Sequence, residues 1–411
     1  MWSGTAMSAS SSSPRLPSEP TALRIPARCS HFGSCGGCSL QDRPYEEQLR
    51  LKTRRVLAAL SSIGELPVAG VHGSPDIWHY RNKMEYAFGD VYPPQPAGPF
   101  LKLGLKPKGR WHEILDLQEC FLLSPETPML LARLRAWAEE RGVLPYNSHR
   151  QQGFLRHLVL REAKNTGERM VNLVTSGGDL PADSFVAAVR EAYPATSILW
   201  GVNGKVSDTA VSDRLSTLFG PGHITEILRF DGRELKLRIS AHSFFQTNTR
   251  GANLLYGQVR EWVREAGPQT ILDLYCGGGG IALSVADLCR KVVGAETHPA
   301  AIADGKANAE RNGLSHVEFY SGAVETLLPA LLALGPQVVI SDPPRAGMHS
   351  QARAALAASG PSTLICVSCN PDSLARDLGE LCGPYRVERL EIFDLFAHTE
   401  HVETAVLLRR K

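Results

Sequence analysis

Ile271-Leu272-Asp273-Leu274-Tyr275-Cys276-Gly277-Gly278-Gly279-Gly280 is a short apolar run that ends in four glycines. It reads as a buried strand turning into a helix near residues 280–289. The same unit then repeats. Apolar, β-branched runs near 292–296, 317–320, 337–341, 362–368, 386–393 and 402–408 alternate with helical patterns near 299–312, 323–334, 349–359 and 371–382. This alternation predicts an α/β fold with a doubly wound parallel sheet. Ligands of such sheets sit outside the carboxyl ends of the strands, so the residues at those ends decide the chemistry.

Three ends stand out. The first is the glycine-rich turn, where Gly277 lets the backbone come close to a ligand. Glu296 ends the next strand, about 20 residues on, where an acid accepts hydrogen bonds from ribose hydroxyls. The dinucleotide fingerprint G-x-G-x-x-G is broken at Ala282. An adenosine ligand without a pyrophosphate fits better, and S-adenosylmethionine is the first candidate. The second end is Asp342-Pro343-Pro344-Arg345, where proline rigidity holds an acid in a defined loop. Alone it suggests methylation of an exocyclic amine. The third is Val367-Ser368-Cys369-Asn370-Pro371. A thiolate at a strand end attacks an electron-poor ring carbon, whereas an isolated strand cysteine is usually a small core residue. Near the C-terminus Glu403 stands among apolar residues, either as a base with a raised pKa or as a solvent-facing carboxylate.

The remainder of the chain reads differently. The 411 residues carry a net charge of +2, yet residues 1–115 hold 14 Lys and Arg against 9 Asp and Glu. A mildly basic N-terminal third suits a polyanion. Residues 1–28 read as a disordered, Ser- and Pro-rich tail with Met1 or Met7 as the start. Residues 29–240 read as an α+β central domain and residues 241–411 as the catalytic domain. A helix is expected over 42–62, capped by Asp42, with Leu49, Val56, Leu57 and Leu60 on one face. Hairpins are expected over 80–120, a helix over 125–142, and strands over 154–175, 196–204 and 225–240 with a helix near 181–193. No apolar run reaches the roughly 18 residues that cross a bilayer, no secretory signal is present, and a cytoplasmic protein without an obligate protein partner is expected. The nine cysteines then argue for metal binding or catalysis over disulfides. Cys29, Cys35 and Cys38 lie within ten residues, and Cys120 is the best fourth ligand. Four thiolates suit zinc or an iron–sulfur cluster.

His242-Ser243-Phe244-Phe245-Gln246-Thr247-Asn248, the Asp273–Gly280 turn, Ser341–Gly347, Val367–Pro371 and His398–Leu408 together resemble the uracil-5 RNA methyltransferases. The resemblance covers the C-terminal half in the family's order. It implies a seven-stranded, mostly parallel, Rossmann-like methyltransferase domain making 5-methyluridine in RNA, with rRNA ranked above tRNA. It implies Cys369 as the nucleophile at uracil C6 and Glu403 as the base at C5. Gln246, Tyr275, Glu296 and Asp342 line the cofactor and base pocket, and Phe244 packs near the flipped base. Members with this cysteine pattern carry a 4Fe–4S cluster, which favours iron at Cys29, Cys35, Cys38 and Cys120. Many relatives carry a β-barrel RNA-binding module before the cysteines, which 28 residues are too few to hold. RNA contacts are therefore expected from Arg81 and Lys83 near Trp78, Tyr80 and Tyr86, and from Lys102, Lys106, Lys108 and Arg110 beside Trp111. Two rivals remain open: an amine methyltransferase that needs no Cys369, and a non-catalytic RNA-binding protein built on the four-cysteine site.

Overall fold

The computed structural model describes residues 23–91, 101–110 and 112–411. Most of the expected N-terminal tail, the Pro-rich segment at 93–99 and Trp111 lie outside the described residues. Residues 23–28 are held in place: the Ile25 N–H donates to the Asp42 carbonyl at 2.9 Å, Arg24 pairs with Asp42, and Arg28 lies over the Phe121 ring.

In chain order the elements begin with α1 (Tyr45–Ala59) and β1 (Val68–His72). The central layer follows: β2 (Lys83–Asp90), β3 (Leu101–Leu105), β4 (Leu115–Asp116), α2 (Thr127–Glu140), β5 (Leu155–Glu162), β6 (Arg169–Thr175), α3 (Ala182–Ala192), β7 (Ser197–Val202) and β8 (Arg214–Phe219). A hairpin, β9 (Ile224–Phe230) and β10 (Arg233–Ile239), leads to α4 (Thr249–Ala266). The alternating part is β11 (Thr270–Leu274), α5 (Gly280–Ser284), β12 (Lys291–Glu296), α6 (Pro299–Arg311), β13 (Val317–Ser321), α7 (Val324–Leu332), β14 (Val338–Ser341), α8 (Ser350–Ser359), β15 (Thr363–Ser368), α9 (Pro371–Leu381), β16 (Tyr385–Phe393) and β17 (Glu403–Arg410).

All seven expected C-terminal strands form, in the order β16-β17-β15-β14-β11-β12-β13. β11 pairs in parallel with both β12 and β14, so the strand order reverses there and opens a crevice at the carboxyl ends. β17 runs antiparallel between β15 and β16. Continuous apolar runs make these strands because α4, α5 and α6 cover one face and α7, α8 and α9 the other.

The sheet has an eighth strand that the sequence pattern did not reveal. β1 pairs in parallel with β16 at the edge, and Val56 and Leu60 pack into the core under α8 and α9. The hairpin β9–β10 also packs into the catalytic core, against α4. Residue 240 is therefore not a clean boundary: residues 45–72 and 224–239 build the catalytic layer although they precede it. The central layer is a separate seven-stranded sheet, β4-β3-β2-β5-β6-β7-β8, with its own core under α2 and α3.

Helix α1 corrects two expectations. It starts after Pro44 with no side-chain cap, and the Asp42 carboxylate pairs with Arg24 instead. Its inward face is Gln48, Lys52 and Val56, and Leu57 is exposed. The polar residues on that face meet buried polar partners on the β16–β17 connection, which a hydrophobic periodicity does not register.

Candidate active site

Strand parity builds the site. On β11 and β14, Asp273 is registered with Ile340, so Asp342, two residues on, shares their face. On β15 and β17, Val367 is registered with Ala405 and Ser368 with Thr404. Continuing that antiparallel register puts Cys369 opposite Glu403. Ile340, Val367 and Ala405 all belong to the core beneath α4. Asp273, Asp342, Cys369 and Glu403 therefore point to one face, at the carboxyl ends of β11, β14 and β15.

Electrostatics agrees. Glu403 is buried. Burial first, and then the neighbouring Asp342 charge, hold its carboxyl well above the ordinary range, against the pull of Arg345. It is not the solvent-facing carboxylate that an alternating strand pattern allows. Burial pushes the partly exposed Asp342 carboxyl up to about 7. The Cys369 thiol is pushed up to about 11, by burial first and then by Glu403 and Asp342, with Arg345 opposing. Asp273 is raised by burial and by Asp342, although it accepts the Ala282 N–H at 2.9 Å.

Cys369 leaves its strand through a defined cap. The Asn370 side chain accepts the Asp372 N–H at 3.2 Å and starts α9, while its amide donates to the Arg345 carbonyl at 3.0 Å. Ser368 Oγ donates to the Asn370 carbonyl at 3.0 Å. The thiol's strand end and the Asp342–Arg345 loop are thus stapled together.

The glycine turn faces the same crevice. Tyr275 has φ 61°, Gly277 54° and Gly279 82°. A Cβ on Gly279 would stand 2.8 Å from the Phe319 ring, so glycine is required there. The Gly277 N–H donates to Glu296 Oε2 at 3.1 Å, and the His298 N–H to Glu296 Oε1 at 2.9 Å. Burial opposes the charge on Glu296, but these bonds and the His298 ring hold its carboxyl below the ordinary value. An ionised acid beside a glycine turn is the acceptor that ribose hydroxyls need. The crevice thus fits an adenosine cofactor.

Phe244 is 66% exposed beside the turn, 3.8 Å from where a Gly277 Cβ would be. Gln246 is buried one turn before α4. Their loop is clamped: Arg161 donates to the carbonyls of Ala241 and Ser243, and Asn82 donates to the Gln246 carbonyl at 2.8 Å. Sequence reasoning missed Tyr256, buried on α4, whose hydroxyl is raised by burial and by Asp342, Asp273 and Glu403. Its only signal is its place on the amphipathic face of α4, where any apolar residue reads the same.

Cys29, Cys35, Cys38 and Cys120 line one small pocket with His31, Gln41 and Leu122 among its other walls. Among the described residues no three His, Cys, Asp or Glu side chains are arranged to hold a metal ion. The thiols nonetheless sense one another: burial, Cys120, Cys35 and Cys29 together push the Cys38 thiol up to about 12, against a hydrogen bond from Gln41. A bound cation offsets that penalty, because thiolates bind metals, so the donor set fits a thiolate-ligated group.

Of the aromatics expected to stack on RNA, two are internal and Trp78 is partly exposed. Tyr80 and Tyr86 are buried, Trp78 stacks on His398 with ring centroids 3.8 Å apart, and Lys83 pairs with Glu85 at 2.6 Å. Their apolar neighbours in β2 and in the central core claimed them first. No helix among the described residues is long and apolar enough to cross a membrane.

Comparison with known proteins points one way. The tRNA (uracil-5-)-methyltransferase family model matches residues 206–411. An uncharacterized RNA methyltransferase of Clostridium tetani is 37% identical over 403 residues, covering 96% of this chain and 86% of the relative. One from Caldanaerobacter subterraneus is 36% identical over 399 residues, covering 95% and 86%. The crystal structure of Pyrococcus abyssi tRNA (uracil-54, C5)-methyltransferase with S-adenosyl-L-homocysteine superposes with a TM-score of 0.76 at 32% identity, over 92% of this chain and 86% of that one.

Proposed function

The chain belongs to the tRNA (uracil-5-)-methyltransferase family, and we propose that it methylates C5 of a uridine in RNA through a covalent adduct between Cys369 and the base. The observation that carries the reading is the register that sets Cys369 opposite Glu403, on the face that also holds Asp342. It is an S-adenosylmethionine-dependent RNA methyltransferase, and the cofactor supplies an electrophilic methyl when bound.

Uracil C5 is a weak nucleophile. The Cys369 thiolate forms a bond to C6, and the electron pair of the C5–C6 double bond shifts to make C5 nucleophilic. Once C5 carries the methyl, Glu403 takes the C5 proton, the double bond re-forms and the C6–S bond breaks, returning the thiolate. A carboxylate in a dry pocket is a stronger base than one in water, which suits Glu403. Asp342, titrating near neutrality, holds a hydrogen bond to the polar edge of the ring. Glu296 and Gly277 hold the ribose side of the cofactor, Tyr275 and Gln246 line its pocket, and Phe244 covers the base, which must leave its stack to enter.

The Pyrococcus enzyme acts on tRNA, so tRNA becomes the first pool to assay, although the sequence alone ranked rRNA higher. Cys29, Cys35, Cys38 and Cys120 are proposed to hold a 4Fe–4S cluster, for which iron and sulfide analysis of anaerobically purified protein is the check.

The test uses labelled S-adenosylmethionine, tRNA and rRNA from a methylation-deficient strain, and nucleoside analysis after digestion. Wild type is expected to label 5-methyluridine. Cys369→Ala should give neither label nor adduct, and Glu403→Gln should give a denaturation-resistant protein–RNA adduct. Label on a base amine, or label that survives Cys369→Ala, would overturn the reading.

A further inference from the structure

The connection from β16 to β17, residues 394–402, delivers Glu403. Loops ordinarily run over the surface because their backbone groups need water. This one is buried at Asp394, Leu395, Ala397, His398, Thr399 and Val402, and protein groups satisfy its backbone. Lys52 Nζ donates to the Phe396 carbonyl at 3.0 Å, the Tyr80 hydroxyl to the Ala397 carbonyl at 3.0 Å, and the Asn248 amide to the Leu395 carbonyl at 3.1 Å.

His398 is the hub. Its carbonyl accepts the N–H groups of both Ser39 and Leu40 at 2.9 Å. Its own N–H donates to Gln48 Oε1 at 2.8 Å, and its ring stacks on Trp78. Its φ is 67°, a left-handed conformation that a non-glycine residue keeps only when its surroundings fix it.

Those surroundings are the shell of the cysteine cavity. Ser39 follows Cys38 in the chain. Trp78 meets Phe121 edge-on at 5.9 Å, and Phe121 follows Cys120. The His79 N–H donates to the Phe121 carbonyl at 2.7 Å, and the Arg81 N–H to the Leu122 carbonyl at 2.9 Å. On the other side of His398 the loop is closed on itself just ahead of Glu403. The Thr399 hydroxyl donates to the Phe396 carbonyl at 2.7 Å, and the His401 N–H to Thr399 Oγ1 at 3.2 Å. Cys369 has a different anchorage, the Ser368 and Asn370 cap of α9.

We propose that His398 is a positioning residue that ties the cysteine cavity to Glu403. A disturbance of the cysteine centre then slows proton removal from C5 and leaves thiol addition at C6 unchanged. The inference rests on the reading of Cys369 as nucleophile and Glu403 as base. The asymmetry follows from the two anchorages: a shift of residues 38–40 pulls the His398 carbonyl and the strap behind Glu403, whereas among the described residues no bond of the Cys369 cap leads to that cavity.

The test is pre-steady-state kinetics on RNA substrate, with adduct formation and product release followed separately on denaturing gels. His398→Asn keeps a residue that tolerates the left-handed backbone and removes the ring that stacks on Trp78. Trp78→Leu is the second probe, because it leaves the His398 backbone bonds in place. Cys38→Ser disturbs the far end. Each should slow product release, by about 10- to 100-fold for His398→Asn, since misplacing a reacting group by about 1 Å costs about 10²-fold. Adduct should accumulate while its rate of formation and the Kd for RNA stay unchanged, and the steady-state KM should fall as the later step becomes limiting. Parallel loss of both rates, or no loss in any variant, would overturn the proposal. If Glu403→Gln itself traps no adduct, the functional reading fails. If Glu403→Gln traps adduct and His398→Asn does not, only the role of His398 falls.

Discussion

Cys369 in the free enzyme should be a reluctant nucleophile, and the reluctance is measurable. Burial, Glu403 and Asp342 raise its thiol from 9.0 to about 11, with Arg345 opposing. At pH 8 that leaves about a hundredfold less thiolate than an ordinary cysteine has, at tenfold per pH unit. A thiolate of higher pKa is intrinsically the better nucleophile, by about eightfold here at a Brønsted coefficient of about 0.45. The net expectation is alkylation about tenfold slower than that of the same cysteine in the unfolded chain. The sign of the pH dependence follows from the neutral thiol being favoured: the reactive fraction grows as pH rises. The rate should climb about tenfold per unit from pH 7 and continue past 9, where an ordinary thiol levels off. Iodoacetamide labelling across pH, with the Cys369 peptide quantified by mass spectrometry in folded and urea-unfolded protein, measures both numbers. Arg345→Ala should slow labelling further. A plateau below pH 8, or folded-state labelling faster than the unfolded reference, would refute the argument that burial and two carboxylates dominate this thiol.

Two further outcomes follow from buried charge. Lys52 and Asp394 form an ion pair at 2.6 Å with side chains only 2% and 1% exposed. Lys52→Met strands the carboxylate, a change that costs about 3–5 kcal/mol. The Tyr45 hydroxyl and the Phe396 N–H still reach Asp394, so the lower end applies in urea unfolding. Lys52→Met with Asp394→Leu should recover most of the loss, and a loss for Lys52→Met alone of under about 1 kcal/mol would mean that the pair is effectively solvated. Asp342 is raised from 3.8 to about 7, so the fold disfavours its charged form. That contribution to stability is fully present below 3.8 and is lost as pH rises through about 7. Asp342→Asn should therefore match wild type near pH 4 and exceed it at pH 8, by about 2 kcal/mol once partial exposure is allowed for, while losing methylation. Equal stability at pH 8 would show that Asp342 carries no burial penalty.

Much of the catalytic layer was legible because its residues obey simple periods. Seven β-branched runs and the helices between them announced the sheet, and Glu296, Asp342 and Cys369 stood out because each ends an apolar run. What was not legible depends on contacts distant in the chain. β1, with its Val68-Ala69-Gly70-Val71 run, is largely exposed at the sheet edge, and its partner β16 lies more than 300 residues away, so no local pattern identifies it. The buried Gln48 and Lys52 broke the expected stripe of α1, because their partners, His398 and Asp394, are on the β16–β17 connection. Tyr80 and Tyr86 read as exposed because cations neighbour them in sequence, yet both lie in the central core, Tyr86 through alternation along β2 and Tyr80 from the segment before it. Tyr256 carried no mark beyond its place on the apolar face of α4, since its meaning lies in the three carboxyls around it.

The two halves of the proposed chemistry have separate mechanical supports. Adding and removing the sulfur at C6 requires Cys369 to stay fixed through both events, and a thiol on the last residue before a helix cap, on a fully buried strand, meets that need. Removing the C5 proton requires Glu403 to meet a carbon that becomes tetrahedral only after methylation, so its optimum position differs from that of the resting state. Carrying it on the end of a strand behind a connection borrowed from residues 39–80 gives the base an adjustment the nucleophile lacks. Because residues 29–80 supply β1 to the sheet edge, α1 to its face and three of the four cavity cysteines, the N-terminal segment cannot detach from the catalytic layer without unmaking both the sheet edge and the setting of the base.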